Sequence, residues 1–232
     1  MRRCIGLTAS ISIIIPTLNE SSIIVDTLRS LQPMRARGHE IILVDGGSGD
    51  DTIKLAQPYV DKTISTSPGR ARQMNKGALN ATKKFLWFLH ADTCVPEDVD
   101  QLIVHALNDD KAPWGYFDVR LSGKHLLLRV VEKSMNLRTR LTGIATGDQG
   151  IFITKENFFN ANGFADIPLM EDIELSRRLK KYRKPVRLYP KIITSSRRWE
   201  KNGILKTIFL MWRLRLAYAL GADPQKLAIL YR

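Results

Sequence analysis

The chain has 232 residues, 44% of them apolar and 25% charged, a globular balance that excludes a disordered chain and allows one sizeable core. Its net charge of +13 is uneven: residues 177–232 hold 16 Lys/Arg against Glu200 and Asp223, and the remainder is close to neutral. Cys4 and Cys94 lack metal-type spacing, which excludes a cysteine metal site and points to a reduced, cytoplasmic setting.

Residues 1–10 carry Arg2 and Arg3 but no long apolar run before a cleavage site, so no leader is expected. "ISIII" followed by "PTLNE" predicts a buried strand, a turn, and a helix from Ser21 or Ser22 to about Leu31, with Pro33 beyond its end. "EIILVDGGSGDDT" predicts a second strand ending at Asp45 in a glycine-rich loop, with Asp50, Asp51 or Thr52 capping the next helix. "KTIST" is a short third strand, and "GRARQMNKGALNATKK" has helical spacing. "FLWFL" is a fourth strand, and "PEDVDQLIVHAL" a helix with Pro96 at its first position.

After Asp109 the rhythm changes. "WGYFDVRL" reads as a longer strand, residues 124–138 as a helix, "GIFIT" as a strand and residues 172–182 as a helix. Strands apolar throughout that alternate with helices predict an α/β domain whose mostly parallel sheet is covered on both faces. Ligands in such sheets bind beyond the carboxyl ends of the strands. Glu20, Asp45 and Asp92, each just after a strand, are expected along that rim.

The chemistry can be narrowed by elimination. "PTLNE" has no glycine-rich turn and "DGGSGD" lacks G-x-G-x-x-G spacing, so neither a dinucleotide fingerprint nor a P-loop is present. Four histidines and no G-x-S-x-G elbow give no nucleophile triad. What remains is a nucleotide site built from carboxylates and a metal.

"SIIIPTLNE", "EIILVDGGSGDDT", "GRARQMNKG", "FLWFLHADT" and "LMEDIELSRRL", with "SSRRWEKNG" after them, fall in an order and spacing that resembles the family 2 glycosyltransferases. The resemblance is greatest to short bacterial single-domain members, among them the selenodomain-associated transferases. It implies the GT-A fold, a nucleotide-diphosphate sugar donor and inversion at the anomeric carbon.

The same resemblance implies roles. "HAD" stands where the family has Asp-x-Asp, so Asp92 would ligate Mn²⁺ or Mg²⁺ across the donor's phosphates. His90, in place of the first aspartate, would ligate a softer ion, hydrogen-bond the donor, or pack. Asp45, Pro16, Thr17 and Glu20 would meet the donor nucleotide, with Ala91 beside them. Glu20 can also be read as a first-turn acid favoured by the helix dipole. Arg70 and Arg72 would cradle the diphosphate, or be solvated charges, and Asn75 would read ribose or face solvent. Asp172 would be the catalytic base, with Glu171, Asp148, Gln149, Arg198 and Trp199 toward the acceptor.

Residues 203–221 are apolar, but Lys206, Arg213 and Arg215 argue against a membrane span. A basic amphipathic segment over residues 203–232, appended to a transferase domain over 1–202, is expected either to lie on an anionic membrane's inner face or to pack on its own core or a second subunit. The acceptor is open: a glycan, a lipid-linked group or a small molecule. Rival readings are a sugar nucleotidyltransferase, which would want a glycine-rich turn after the first strand, and a non-catalytic nucleotide- or lipid-binding module. Nucleic-acid binding is not expected, because the aromatics of the basic end sit in apolar runs.

Overall fold

The computed structural model describes residues 10–109 and 113–231; the readings of residues 1–9, Cys4 included, lie outside the described residues. Ile11–Thr17 (β1) is apolar on both faces and wholly buried. Ile24–Ala36 (α1) then leads back to Glu40–Asp45 (β2), also buried throughout. Thr52–Ala56 (α2), the edge strand Lys62–Ser65 (β3), Arg70–Asn80 (α3) and Phe85–Phe88 (β4) complete the first half. Helix α1 runs past its expected end, with Pro33 inside it. Pro33 removes one helical hydrogen bond, but Leu31 and Met34 on either side are buried, and their packing carries the helix on.

The second half comprises Thr93–Cys94 (β5), Val99–Asn108 (α4), Trp114–Leu121 (β6), Leu126–Thr142 (α5), Phe152–Thr154 (β7), Lys155–Asn160 (α6), Glu171–Tyr182 (α7), Val186–Thr194 (β8), Arg197–Asn202 (α8), Ile204–Ala219 (α9) and Pro224–Tyr231 (α10). Helix α4 begins at Val99 rather than at Pro96, after Asp98 takes a left-handed φ of 62°. Strand β8 has no counterpart in the sequence reading. Pro185 before it, Pro190 within it and its half-exposed pattern conceal it, yet it pairs parallel with β6, and Arg187 clamps Asp118 across the pair at 2.8 Å.

The strands form one sheet in the order β3-β2-β1-β4-β7-β6-β8-β5. Strands β3, β2, β1 and β4 are parallel; β7 is antiparallel to both β4 and β6. Register sets Thr17 beside Asp45 and Ile14 beside Phe88, so β1, β2 and β4 end on one rim. One core, with Ile13, Trp87 and Phe117, fills one face of the sheet under α1 and α4. Another, with Ile14, Met74, Phe88 and Leu175, fills the opposite face under α3 and α7. On that face Gly77 lets α3 approach closely: a Cβ there would lie 2.4 Å from the Ile14 side chain.

Helices α9 and α10 do not stand apart. Leu214 and Leu227 are buried against Leu169, Met170 and Ile173 at the start of α7. Trp199, Ile204 and Ile208 pack against Leu121, Leu128 and Val131 of β6 and α5.

Candidate active site

The two loops that follow β1 and β2 are stitched together. Gly47 N and Ser48 N donate to Asp45 Oδ2 at 2.8 and 2.9 Å, and Ser48 Oγ donates to Oδ1 at 2.5 Å. Both oxygens of Asp45, expected at the nucleoside, thus shape their own loop. Asn19, held at a φ of 55°, donates from its backbone to Ser48 Oγ and accepts from Gly49 N, each at 2.9 Å. Glu20 N donates to Thr52 Oγ1 at 2.8 Å, and Arg197 from α8 pairs with the Glu20 carboxylate at 2.9 Å. Thr17 and Pro16 are buried in β1. The carbonyls of Thr17 and Val44 both accept from Gln73 Nε2 at 2.8 Å. Asn19, Ser48 and Gln73 escaped the sequence reading; the Asn before Glu20 and the Ser after the glycine pair were the available signals.

At the end of β4, the Ala91 carbonyl accepts from Thr27 Oγ1 at 2.7 Å, which fixes the backbone between His90 and Asp92. His90 Nδ1 lies 3.1 Å from Asp148 Oδ1. Burial disfavours a charged imidazole, yet the Asp148 bond prevails and raises the His90 pKa. Asp148 in turn is held below the usual carboxylate range: burial would raise it, but His90, Arg70 and Arg138 outweigh that. His90 Nε2 is buried without a hydrogen-bond partner and is wedged against Gly147, where a Cβ would come within 2.4 Å of it.

Asp172 opens α7. Its Oδ2 accepts from Gly147 N at 2.8 Å and its Oδ1 from Ile173 N at 2.7 Å. Glu171 is buried, 3.9 Å from Arg70; burial and Asp172 push its carboxyl up against the pull of Arg70. The turn Gly147–Gln149 is the hub. Its first residue holds Asp172, its second holds His90, and its third is buried. Gln149 Oε1 accepts from Thr139 Oγ1 at 2.8 Å and from Thr146 N at 3.1 Å, so this side chain braces the turn and is not presented to a ligand.

A cavity of about 440 Å³ adjoins this turn. Arg70, His90, Asp148, Glu171 and Asp172 line one end; α5 and α9 supply apolar walls through Val130, Met135, Ile208 and Met211, with Trp199 beside them. Arg138 and Arg215 face the same space. Glu20, Asp45 and Asp92 are outside its wall, on the rim beyond His90. Three expected site residues are engaged elsewhere. Arg72 pairs with Asp166 at 2.8 Å. Asn75 clamps the backbone of Phe164 from both sides, at 2.8 and 2.9 Å. Arg198 donates to the Tyr231 carbonyl and stacks 3.6 Å from the centroid of its ring.

Among the described residues, no group of three or more His, Cys, Asp or Glu is placed to hold a metal. The donor set is nevertheless compatible with one hard cation shared with a ligand's phosphates. Burial raises the Asp92 carboxyl, and Asp148 and Glu20 add to this against His90. A divalent cation would relieve that crowding, and Mg²⁺ or Mn²⁺ needs only one or two protein carboxylates when phosphates supply the rest. His90 does not fit the same role, since one ring nitrogen is on Asp148 and the other faces Gly147.

Residues 12–160 match the sequence family described as glycosyl transferase family 2. The chain belongs to that family. It is 35% identical over 124 residues to an uncharacterized glycosyltransferase of Mycobacterium tuberculosis, covering 49% of this chain and 47% of that one. It is 27% identical over 106 residues to poly-beta-1,6-N-acetyl-D-glucosamine synthase of Staphylococcus aureus, covering 43% of this chain and 26% of the synthase. The chain thus spans about half the length, or less, of these curated relatives.

Among solved structures, TarS 1–349 of S. aureus in complex with UDP-GlcNAc superposes with a TM-score of 0.66 at 16% identity, over 80% of this chain and 58% of that one. A mannosyltransferase of Pyrobaculum calidifontis in complex with GDP-Man and Mn²⁺ superposes with a TM-score of 0.63 at 20% identity, over 91% of this chain and 62% of that one. These likenesses establish the GT-A fold for this family 2 glycosyltransferase.

Proposed function

We propose that the protein is an inverting glycosyltransferase that moves a sugar from a nucleotide-diphosphate donor to an acceptor hydroxyl, with Asp172 as base. The observation that carries this reading is the placement of Asp172. Its carboxylate lines the cavity, fixed by Gly147 N, in the same wall as His90 from the strand end that bears Asp92. The acceptor oxygen attacks the anomeric carbon from the face opposite the leaving group as the bond from that carbon to the donor phosphate breaks. The hydroxyl proton passes to Asp172, and the bonding pair leaves with the nucleoside diphosphate.

Asp92 would hold Mn²⁺ or Mg²⁺, which when bound neutralises charge on the departing diphosphate. His90 supports Asp148 rather than the ion. Arg70, at the amino end of α3, faces the same cleft and suits the diphosphate. The joined Asn19–Ser48 loops fit the role of a floor for the nucleoside.

We further infer that the protein works at an anionic membrane surface, on the inner face. Among the described residues, no helix is long and apolar enough to cross a membrane. Leu126, Val130, Leu137 and Leu141 of α5, and Leu205, Phe209, Trp212 and Leu216 of α9 with Leu220 just past its end, are exposed at helical spacing. Two apolar stripes beside a strongly basic chain end suit interfacial binding.

The test is incubation of the full chain with a panel of nucleotide-diphosphate sugars, Mn²⁺ or Mg²⁺, and acceptor hydroxyls of each class: a glycan, a lipid-linked group and small alcohols. Release of nucleoside diphosphate with an inverted product is expected. Pyrophosphate release would instead favour a nucleotidyltransferase, and no release from any donor would reject transfer.

A further inference from the structure

Two arginines in the cavity wall have no role in the chemistry described so far. Arg138 comes from α5 and Arg215 from α9, and both face the space that Asp172 overlooks. Arg138 Nε and Nη2 are buried with no hydrogen-bond partner. Among the described residues, neither guanidinium is within ion-pair distance of a carboxylate. Arg138 is pushed down to about 10 by burial and by Arg215; Arg215 is lowered by burial, with Asp172 and Asp148 opposing from a distance. Both remain charged at neutral pH.

Both residues are half-buried, and withdrawing the Arg138 nitrogens from water without a partner is costly, the more so beside a second cation. Three other arginines are treated differently. Arg37, Arg178 and Arg187 are each locked to a carboxylate through two nitrogens. The unsatisfied Arg138 fork and the unpaired Arg215 guanidinium line one cavity and make a site for a dianion, since guanidinium geometry matches the oxygens of phosphate. The wall that α5 and α9 add around them is mostly apolar, with Val130, Met135, Ile208 and Met211, so the body attached to that anion is apolar as well.

We propose that Arg138 and Arg215 bind a phosphate group carried by an acceptor with an apolar body, at the end of the cavity served by Asp172. Because it names the acceptor, this assignment rests on the transfer reading above. The phosphate itself can belong to a lipid-like acceptor or be free in solution, and the two sources are separable by binding.

Calorimetry on the full chain would compare inorganic phosphate, a medium-chain alkyl phosphate and the neutral alcohol of the same length. The alkyl phosphate is expected to bind more tightly than either other compound. Arg138→Gln and Arg215→Gln are each expected to weaken it by about tenfold or more, the loss of a charge-assisted hydrogen bond. Binding of the nucleoside diphosphate should be unchanged in both variants. The melting temperature of either variant should equal or exceed that of the parent, because one of two repelling cations is gone; Arg138→Lys should restore part of the affinity.

Equal binding by the parent and both Gln variants would overturn the assignment. So would loss of nucleoside diphosphate binding, which would hand the arginines to the donor. Inorganic phosphate binding as tightly as the alkyl phosphate would exclude the apolar body. Since the readout is binding, alkyl phosphate held by the arginines without sugar transfer from any donor would reject the transfer reading and leave the anion site standing.

Discussion

Gly147 N donates to Asp172 Oδ2 at 2.8 Å, while His90 packs against the α-carbon side of the same glycine. The candidate base and the residue standing in for the family's first aspartate are therefore positioned by one backbone unit. Substituting Gly147 with Ala would place a Cβ 2.4 Å from His90 Nε2, forcing His90 off Asp148. Overpacking of this kind costs about 1–3 kcal/mol. We expect Gly147→Ala to fold with a lowered melting temperature and to lose most of its turnover; turnover equal to the parent would mean that the His90–Asp148 contact does not matter.

Asp172→Asn keeps an oxygen for Gly147 N and so keeps the turn, but it cannot take a proton. General-base removal lowers rates by roughly 10²–10⁴. The variant is expected to bind the donor nucleotide as the parent does while losing turnover by that factor. Steady-state rates and nucleotide titration measured together separate the two effects, and undiminished turnover would move the base elsewhere.

Asp92 makes no hydrogen bond or ion pair among the described residues, and its carboxyl is raised by burial. Asp92→Ala should leave the fold intact and abolish the increment in nucleotide affinity that Mn²⁺ provides. Titrations with Mn²⁺ and with chelator check this. A metal increment that survives in Asp92→Ala would require a different ligand.

Acid stability is set away from the site. Asp100 is buried and accepts from Arg37 at 2.7 and 2.8 Å and from His39 Nε2 at 2.7 Å. The tautomer follows from Ile11 N, which donates to His39 Nδ1 at 3.0 Å. Burial would raise the Asp100 carboxyl, but His39 and Arg37 hold it well below the usual range. Glu40 is likewise lowered, burial notwithstanding, by Lys62, Ser12 and Thr82 N. Folded-state values below the unfolded ones stabilise the protein above about pH 4, and the contribution is lost as pH falls further. Chemical denaturation across pH should show that fall. Asp100→Asn should cost about 3–5 kcal/mol at neutral pH, as expected for one partner of a buried pair removed, and should flatten the acid limb.

Phe209 and Trp212 are 70% and 67% exposed on α9. Replacing both with Ser should leave the melting temperature nearly unchanged and reduce co-sedimentation with anionic vesicles. Binding by the parent should weaken with salt. Salt-insensitive binding, or none, would reject the membrane surface as partner.

Strands β1, β2 and β4 were legible because each is dominated by an apolar run, and the acids after them fall on one rim by the rule for parallel sheets. Strand β8 was not, since Pro185 and Pro190 flank and interrupt a half-exposed segment whose pairing with β6 is a tertiary fact. The site residues divide in the same way. Residue type placed Asp172 and Glu171 at a helix start, but it could not reveal that Gln149, Asn75 and Arg72 spend their polar atoms on Thr139, Phe164 and Asp166. Nor could it reveal Arg138, which acquires its meaning only when α9 packs beside α5 and closes over it.

Most side chains around the cavity belong to packing groups distinct from the main core, although Met135 touches both. Leu214 and Leu227 meet Leu169 and Ile173, and Ile208 meets Leu128 and Val131, whereas Trp87, Phe117 and Ile13 lie under α1 and α4. The shape of the cavity and the integrity of the sheet are thus largely separable. Substitutions along the inner faces of α5 and α9 can reshape what enters the cavity without disturbing the strands that carry Asp45 and Asp92, and that makes those two helices the natural place to re-engineer the protein's specificity.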